Sequence, residues 1–550
     1  MNGLWNRGVD LILVFMTDNK AKKSIIYLVI FSVLTVTSCK SFRSDKNNTS
    51  LIESVNERGY FLNRMNGSDN NPGTLEKPLK SITELNLRLK KKAANICLAG
   101  GQVFDGKLIL DGINGTDRIP IKIKSWGKGR AVINGGNGEA VKIGNSSNIW
   151  ILDLDIKGNG RNHGNKTNGI SILQSRNCKV ENINATGFQK SGIALYNCTE
   201  SVIRKVVASE NGFCGINIMG SARNLSRKIL IQDCKAENNP GDPTNFNNHS
   251  GNGILVGVSD SVTIDHCSAT NNGWDMPRQG NGPVGIWTWE SDHVTIQYCI
   301  SYRNKTSRGA KDGGGFDLDG GVKNSIIQYC LSYENQGAGY GLFQYAGASG
   351  WSDNTVRYCI SINDAKITEG AGGIFIWNGS NDVMQLINCK VYNNVIYNSK
   401  APLISFENSS SHKNFIFTNN IFLGSDHPIT GINNGSLFIG NDWWNTSGET
   451  RFMNSASLEE WTKKSGQELL HARFVGMQED PKLKGPLLTD ITDPYQLEKL
   501  SGYTLQHDSP LKNKGMNLNS IFGIEQPAKD FFGNDISSGG LTIPGISQNR

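Results

Sequence analysis

The chain reads as an all-β protein, one elongated parallel β-solenoid, and three observations carry that reading. A glycine followed by an apolar residue opens one strand of each repeat: Gly169-Ile170, Gly192-Ile193, Gly215-Ile216, Gly253-Ile254, Gly285-Ile286, Gly315-Phe316, Gly341-Leu342 and Gly373-Ile374, at intervals of 23 to 38 residues. Two further short β-branched runs follow, as in Val294-Thr295-Ile296 and Ile300-Ser301-Tyr302, closing at Asn239, Asn271, Asn304, Asn335 and Asp364. The composition agrees, because 63 glycines against 15 prolines suit many short strands joined by tight turns. Period-two alternation without helix-length repeats predicts a coiled stack of about 10 to 12 turns, each pairing with the turns above and below.

In chain order, Lys20, Lys22 and Lys23 precede an apolar stretch, Ile25 to Val36, that ends in Val36-Thr37-Ser38-Cys39. A basic region, an apolar core too short for a comfortable bilayer span, and small residues describe an export signal. The Val-Thr-Ser-Cys sequence resembles the lipobox of bacterial lipoproteins. That resemblance implies lipidation of Cys39, a lipid anchor in the membrane, and an outer-membrane location in a Gram-negative cell, on its periplasmic or surface face. The expected organisation is a signal over 1–39, a tether over 40–58, a cap and first rungs over 59–130, a central solenoid over 131–445, and a helical insertion, last rungs and closing cap over 446–550. A net charge of +7, much of it near the N-terminus, gives no basic face for nucleic acid.

Ten further cysteines could suggest disulfides, but Cys234, Cys267, Cys299, Cys330, Cys359 and Cys389 recur at intervals of 29 to 33 residues in equivalent frames. Such spacing predicts a column of buried thiols acting as small apolar filler. No CxxC pair offers metal-ligand spacing.

Strand alternation sorts the side chains. The residue after each repeat glycine faces the core, so the next one, and the one two beyond that, face outward. The first outward column then reads Ser171, Ala194, Asn217, Leu255, Trp287, Asp317, Phe343, Phe375, and the second Leu173, Tyr196, Met219, Gly257, Trp289, Asp319, Tyr345, Trp377. Asp317 and Asp319 thus stand together between aromatic rungs, with Trp287, Trp289, Phe343, Tyr345 and Trp377 as sugar-stacking candidates; loops folding over the strip are the plainer alternative. Longer inserts at 241–250, 273–282, 305–314 and 365–371 enter at one corner and would wall a cleft over the pair. Asp312 and Glu290 are further catalytic candidates, Gln344 and Thr288 are candidates to hydrogen-bond across the Asp rung, and the scattered histidines read as structural.

The same repeat, with the opening Tyr60-Phe61-Leu62-Asn63, a helix about Ser81 to Lys92 and the late Glu459-Glu460-Trp461, resembles the right-handed parallel β-helix of the pectate-lyase-like superfamily over roughly residues 59 to 545. Gly-Gly-Gly-Phe-Asp-Leu-Asp-Gly-Gly resembles a motif of exported β-helix proteins that degrade polysaccharides, which implies a glycoside hydrolase on an extracellular polysaccharide or oligosaccharide. Glycoside hydrolysis needs two carboxyl groups, one protonated and one ionised, and crowding beside apolar surface supplies that asymmetry. It requires no cofactor. The alternatives are a polysaccharide lyase in which Asp312, Asp317 and Asp319 hold Ca²⁺ and Lys305, Arg308 or Lys311 is the base, and a non-catalytic glycan-binding surface lipoprotein. Asn-Thr-Asp, Asp-Asp and Gly-His-Gly are absent, which argues against pectin hydrolysis. The expected state is a monomer.

Overall fold

Strand follows strand with little else between, and the turns stack in parallel. The computed structural model describes residues 59–407, 412–431, 433–445, 448, 450–536 and 542–548; Cys39, the signal and the tether lie outside the described residues. A twelve-stranded parallel sheet runs from Leu108–Asp111 to Ile429–Thr430 and gives twelve turns, within the expected number. The remaining faces form a 24-stranded sheet. In early turns one long strand, such as Val202–Ser209, covers two faces; in later turns it splits, as in Thr295–Gln297 and Ile300–Tyr302. The fold is a parallel β-helix.

The core is a set of columns. Ile170, Ile193, Ile216, Ile254, Ile286, Phe316, Tyr340 and Ile374 are all essentially buried, and each such side chain contributes about 1.5–3 kcal/mol of burial. Cys234, Cys267, Cys299, Cys330 and Cys359 stack as expected, buried and unbonded. Cys389 does not join them. It pairs with Asn354 and Phe415, and Asn394 takes the place above Cys359, because the two strands start level, Trp351 opposite Leu386, and Cys389 falls inside its strand, five residues before that corner. Each corner before these thiols is made by one left-handed residue, Asp233, His266, Tyr298, Tyr329 or Tyr358. Bulky side chains resist that conformation by about 1–2 kcal/mol. Here the rings stack, with centroids 5.0 Å apart for His266–Tyr298 and 4.8 Å for Tyr298–Tyr329, which offsets part of the cost.

A second device is an amide ladder at the opposite corner. Asn239, Asn272, Asn304 and Asn335 each accept, through Oδ1, the backbone N–H and the Nδ2–H of the preceding turn's asparagine, and Asp364 closes the run. Asn272, not its neighbour Asn271, holds this place. The N-terminal end is plugged by helix Ile82–Leu89, capped by Ser81, whose hydroxyl accepts the Glu84 N–H at 3.2 Å. Helix Leu458–Ser465 closes the other end, with Trp461 stacked on Phe452 at 5.4 Å. The segment after it also covers a lateral face: Tyr495 stacks on His266 at 4.4 Å, and Lys529 O accepts the Tyr329 hydroxyl at 2.7 Å.

Candidate functional site

The Asp rung is strand Gly314–Leu318 of the twelve-stranded sheet, preceded by the 305–314 loop. Phe316 and Leu318 point inward and are buried, so alternation sends Asp317 and Asp319 to the other side. On one side the register is as expected, Trp287 opposite Asp317. On the other it is shifted by two: Phe316 pairs with Tyr340 and Asp317 with Gly341. Gly339, not Gly341, therefore opens that turn. Asp319 lies level with Phe343, and Tyr345 falls beyond the column. Both glycines have the same parity, so alternation alone fits either one.

The expectation of an open aromatic strip is corrected. Asp317 is 3% exposed, Trp287 4% and Phe343 8%. Ala194, Asn217 and Leu255, in the column of Trp287 and Asp317, are buried too. The 241–250 loop supplies part of the cover, because His249 packs between Phe213, at 5.6 Å, and the edge of Trp287, at 4.8 Å. Trp287 donates its Nε1–H to Asn252 Oδ1 at 3.1 Å, which makes it a wall of the loop rather than a free platform. Burial, then Arg278, pushes the His249 imidazole down to about 4. In the second column Trp289, Asp319 and Trp377 are half-buried while Phe343, level with Asp319, is buried; Phe375 of the first column and Tyr345, off the end of the second, are also half-buried.

Beside Asp317 lies a small, partly open cavity of about 10 Å³, lined by Asp312, Asp317, Gly341, Phe343, Thr368 and Phe375 among others. That is room for about one water. A methyl group on Gly341 would sit 3.0 Å from Asp317 Oδ1 and 2.7 Å from Phe343 Cε2, so glycine keeps this space open. Asp317 Oδ1 is buried with no hydrogen-bond partner. Burial, then Asp319 and Asp312, holds the Asp317 carboxyl well above the usual carboxylate range. Asp319 is pushed up to about 7 by burial, with the Gly320 N–H pulling the other way and Asp312 and Glu290 adding to the rise. Asp312 is pushed up to about 6, again by burial, against a hydrogen bond from Gly282 N and the charges of Lys311 and Arg278.

Asp312 works through the loops. Its Oδ2 accepts the Gly282 N–H at 2.7 Å and its carbonyl accepts Thr368 Oγ1–H at 2.8 Å, tying three inserts together. Glu290 lies apart from the cavity and accepts the Ser349 N–H at 2.7 Å, holding the turn after Phe343. Gln344 bonds across the Asp rung by accepting the Gly321 N–H at 3.1 Å, whereas the buried Thr288 hydroxyl has no partner. Among the described residues no group of three or more His, Cys, Asp or Glu side chains is arranged to hold a metal ion. Asp312, Asp317 and Asp319 are thus not gathered as the calcium alternative requires. Gly341, Thr368 and Ala371 were not legible as site residues; only the register and the loop path bring them in.

The family described as the right handed beta helix region matches residues 128–243 and 242–391. No curated protein matches the chain. Among solved structures, the GH136 lacto-N-biosidase of Eubacterium ramulus is similar at 16% identity, with 68% of each chain covered and a TM-score of 0.48. A pectate lyase is similar at 14% identity over 90% of this chain and 98% of its own, TM-score 0.41. An alginate lyase from Paenibacillus is similar at 15% over 61% and 95%, TM-score 0.35. Identities and TM-scores this low carry no argument about the reaction, and the described strands and the family match together make the chain a right-handed parallel β-helix.

Proposed function

We propose that the protein is a carbohydrate-active enzyme, a glycoside hydrolase acting on an extracellular polysaccharide or oligosaccharide, exported as a lipoprotein on Cys39. One observation carries the reaction: a buried carboxyl without a partner, Asp317, shares a rung with the more accessible carboxyl of Asp319. Two side chains at i and i+2 on a strand have Cα atoms roughly 6.5–7 Å apart, a spacing at which both can flank one glycosidic bond. Asp317, held protonated, donates its proton to the leaving oxygen. Asp319, ionised, acts on the anomeric centre directly or through a water. The pair shares its charge, so the two titrations belong to both residues together.

The cavity admits no sugar ring as it stands. Substrate entry requires displacement of the 365–371 insert, whose tie across to the opposite wall is the Thr368 hydroxyl on Asp312 O. A second reading, a metal-independent lyase on an acidic glycan, draws on one further observation. Arg278, Lys305, Arg308 and Lys311 crowd two loops beside the site, and none is in an ion pair among the described residues.

Product analysis on a polysaccharide panel separates these readings. Hydrolysis gives new reducing ends without ultraviolet-absorbing unsaturation, and Asp317→Asn or Asp319→Asn should lower kcat at least a hundredfold, about what a general acid or base contributes. Unsaturated products would establish the lyase. Unchanged turnover in both variants would sink the site. Binding without turnover on every glycan would leave a non-catalytic glycan-binding protein.

A further inference from the structure

From Asp319 toward the N-terminal turns, the same column continues through half-buried Trp289, buried Gly257 and half-buried Met219 to half-buried Tyr196. Glycine stands where the indole needs room: a methyl group on Gly257 would meet Trp289 Nε1 at 2.5 Å, Cε2 at 2.7 Å and Met219 Sδ at 3.0 Å. Trp289 therefore lies down over the Gly257 rung beside Met219 instead of standing outward, and its buried Nε1–H has no acceptor. At the far end the Tyr196 hydroxyl accepts from Asn217 Nδ2 at 3.5 Å and also bonds to Asn168. Asn168 Nδ2 donates to Ser171 Oγ at 3.1 Å, and that hydroxyl donates to Glu139 Oε1 at 2.6 Å. Asn217 is 2% exposed and its Oδ1 receives no hydrogen bond. Buried polar atoms without partners destabilise the protein and recur where a ligand completes them.

We propose that this groove is a glycan-binding arm on one side of the Asp rung: sugar faces lie on Trp289 and Met219, and hydroxyls are read by Tyr196, Asn217 and Asn168. The direction of the chain rests on the reading of the Asp pair as the reacting centre; the binding does not. Four rungs separate Asp319 from Tyr196, roughly 19 Å at the strand spacing, so the ligand is an oligosaccharide of several linked rings. Glu139, at the end of the cluster and paired with Lys107 at 3.4 Å, favours neutral, hydroxyl-bearing sugars there over uronates.

The test is binding by the full chain carrying Asp317→Asn, with cello-, xylo-, manno- and galacto-oligosaccharides of graded length as probes. Affinity for one series should rise with length until the groove is filled. Adding Tyr196→Ala should abolish that rise and weaken the longest members about tenfold. Adding Tyr196→Phe, which keeps the ring and its packing, should lose a smaller part. Length-independent affinity, a rise that Tyr196→Ala leaves intact, or no binding in any series overturns the proposal. Turnover of the same probes by the unsubstituted protein is scored separately: length-dependent binding without turnover would sink the reading of the Asp pair and leave the groove standing.

Discussion

Asp319 is held at the surface of a charge conflict, and the conflict has a sign. Its folded carboxyl is raised to about 7 by burial first, so the native state binds that proton more tightly than the unfolded chain does. The stability this contributes is complete below about pH 4 and is lost as pH rises through about 7. Asp319→Asn should therefore leave thermal stability unchanged near pH 4 and raise it near pH 8, by on the order of a few kcal/mol. Thermal unfolding of both proteins at the two pH values checks this, and equal shifts at both would refute it. The same substitution is expected to cost activity, so the residue would be one that the fold tolerates for the sake of its chemistry.

The columns are where sequence legibility succeeded and failed for physical reasons. The glycine-led strands, the five stacked thiols and the Asp rung were all legible, because alternation and spacing are properties of the chain itself. The two-residue slip at Gly339 and Gly341 was not, since both positions satisfy the same alternation. The burial of Trp287 and Phe343 was legible only as the plainer of two alternatives, loops folding over the strip, because alternation does not say where inserts fold. Asn271 and Asn272 show the limit at its smallest: only the hydrogen bonds decide which amide enters the ladder. Within that ladder Asn304 Oδ1 accepts from Asn272, and its Nδ2 donates to Asn335, to Ser301 Oγ and to Ala269 O. Asn304→Ala leaves several of these groups unpaired, and the expected loss is about 2–4 kcal/mol, read from chemical denaturation; a loss below 1 kcal/mol would mean that the ladder relaxes around the gap.

At the scale of the molecule, stability is a sum over neighbouring turns, and the C-terminal segment adds contacts that skip along the stack. Residues after the Leu458–Ser465 helix bury a face that includes Tyr329, Tyr333, Tyr358 and Tyr392. Ending the chain at residue 477 should uncover these tyrosines, lower the unfolding temperature by several degrees and increase binding of a hydrophobic dye. Retained unfolding temperature and no added dye binding would show that the face is stable in water. Among the described residues no helix is long and apolar enough to cross a membrane.

The amide ladder has a polarity as well as a strength. Each amide donates one side-chain N–H forward to the next turn's side-chain oxygen and one back to a carbonyl of the preceding turn, and the forward run that begins at Asn211 closes on the carboxyl of Asp364; the later run through Asn394, Asn420 and Asn441 closes on Glu468 in the same way. The two ends of such a chain are chemically unlike, as a zipper's are. A turn duplicated in its middle would find donor and acceptor waiting, whereas one added beyond the acid would meet no donor. The site's walls can thus lengthen or shorten by whole turns, or by loops between them, while the grammar that stacks the Asp rung stays the same.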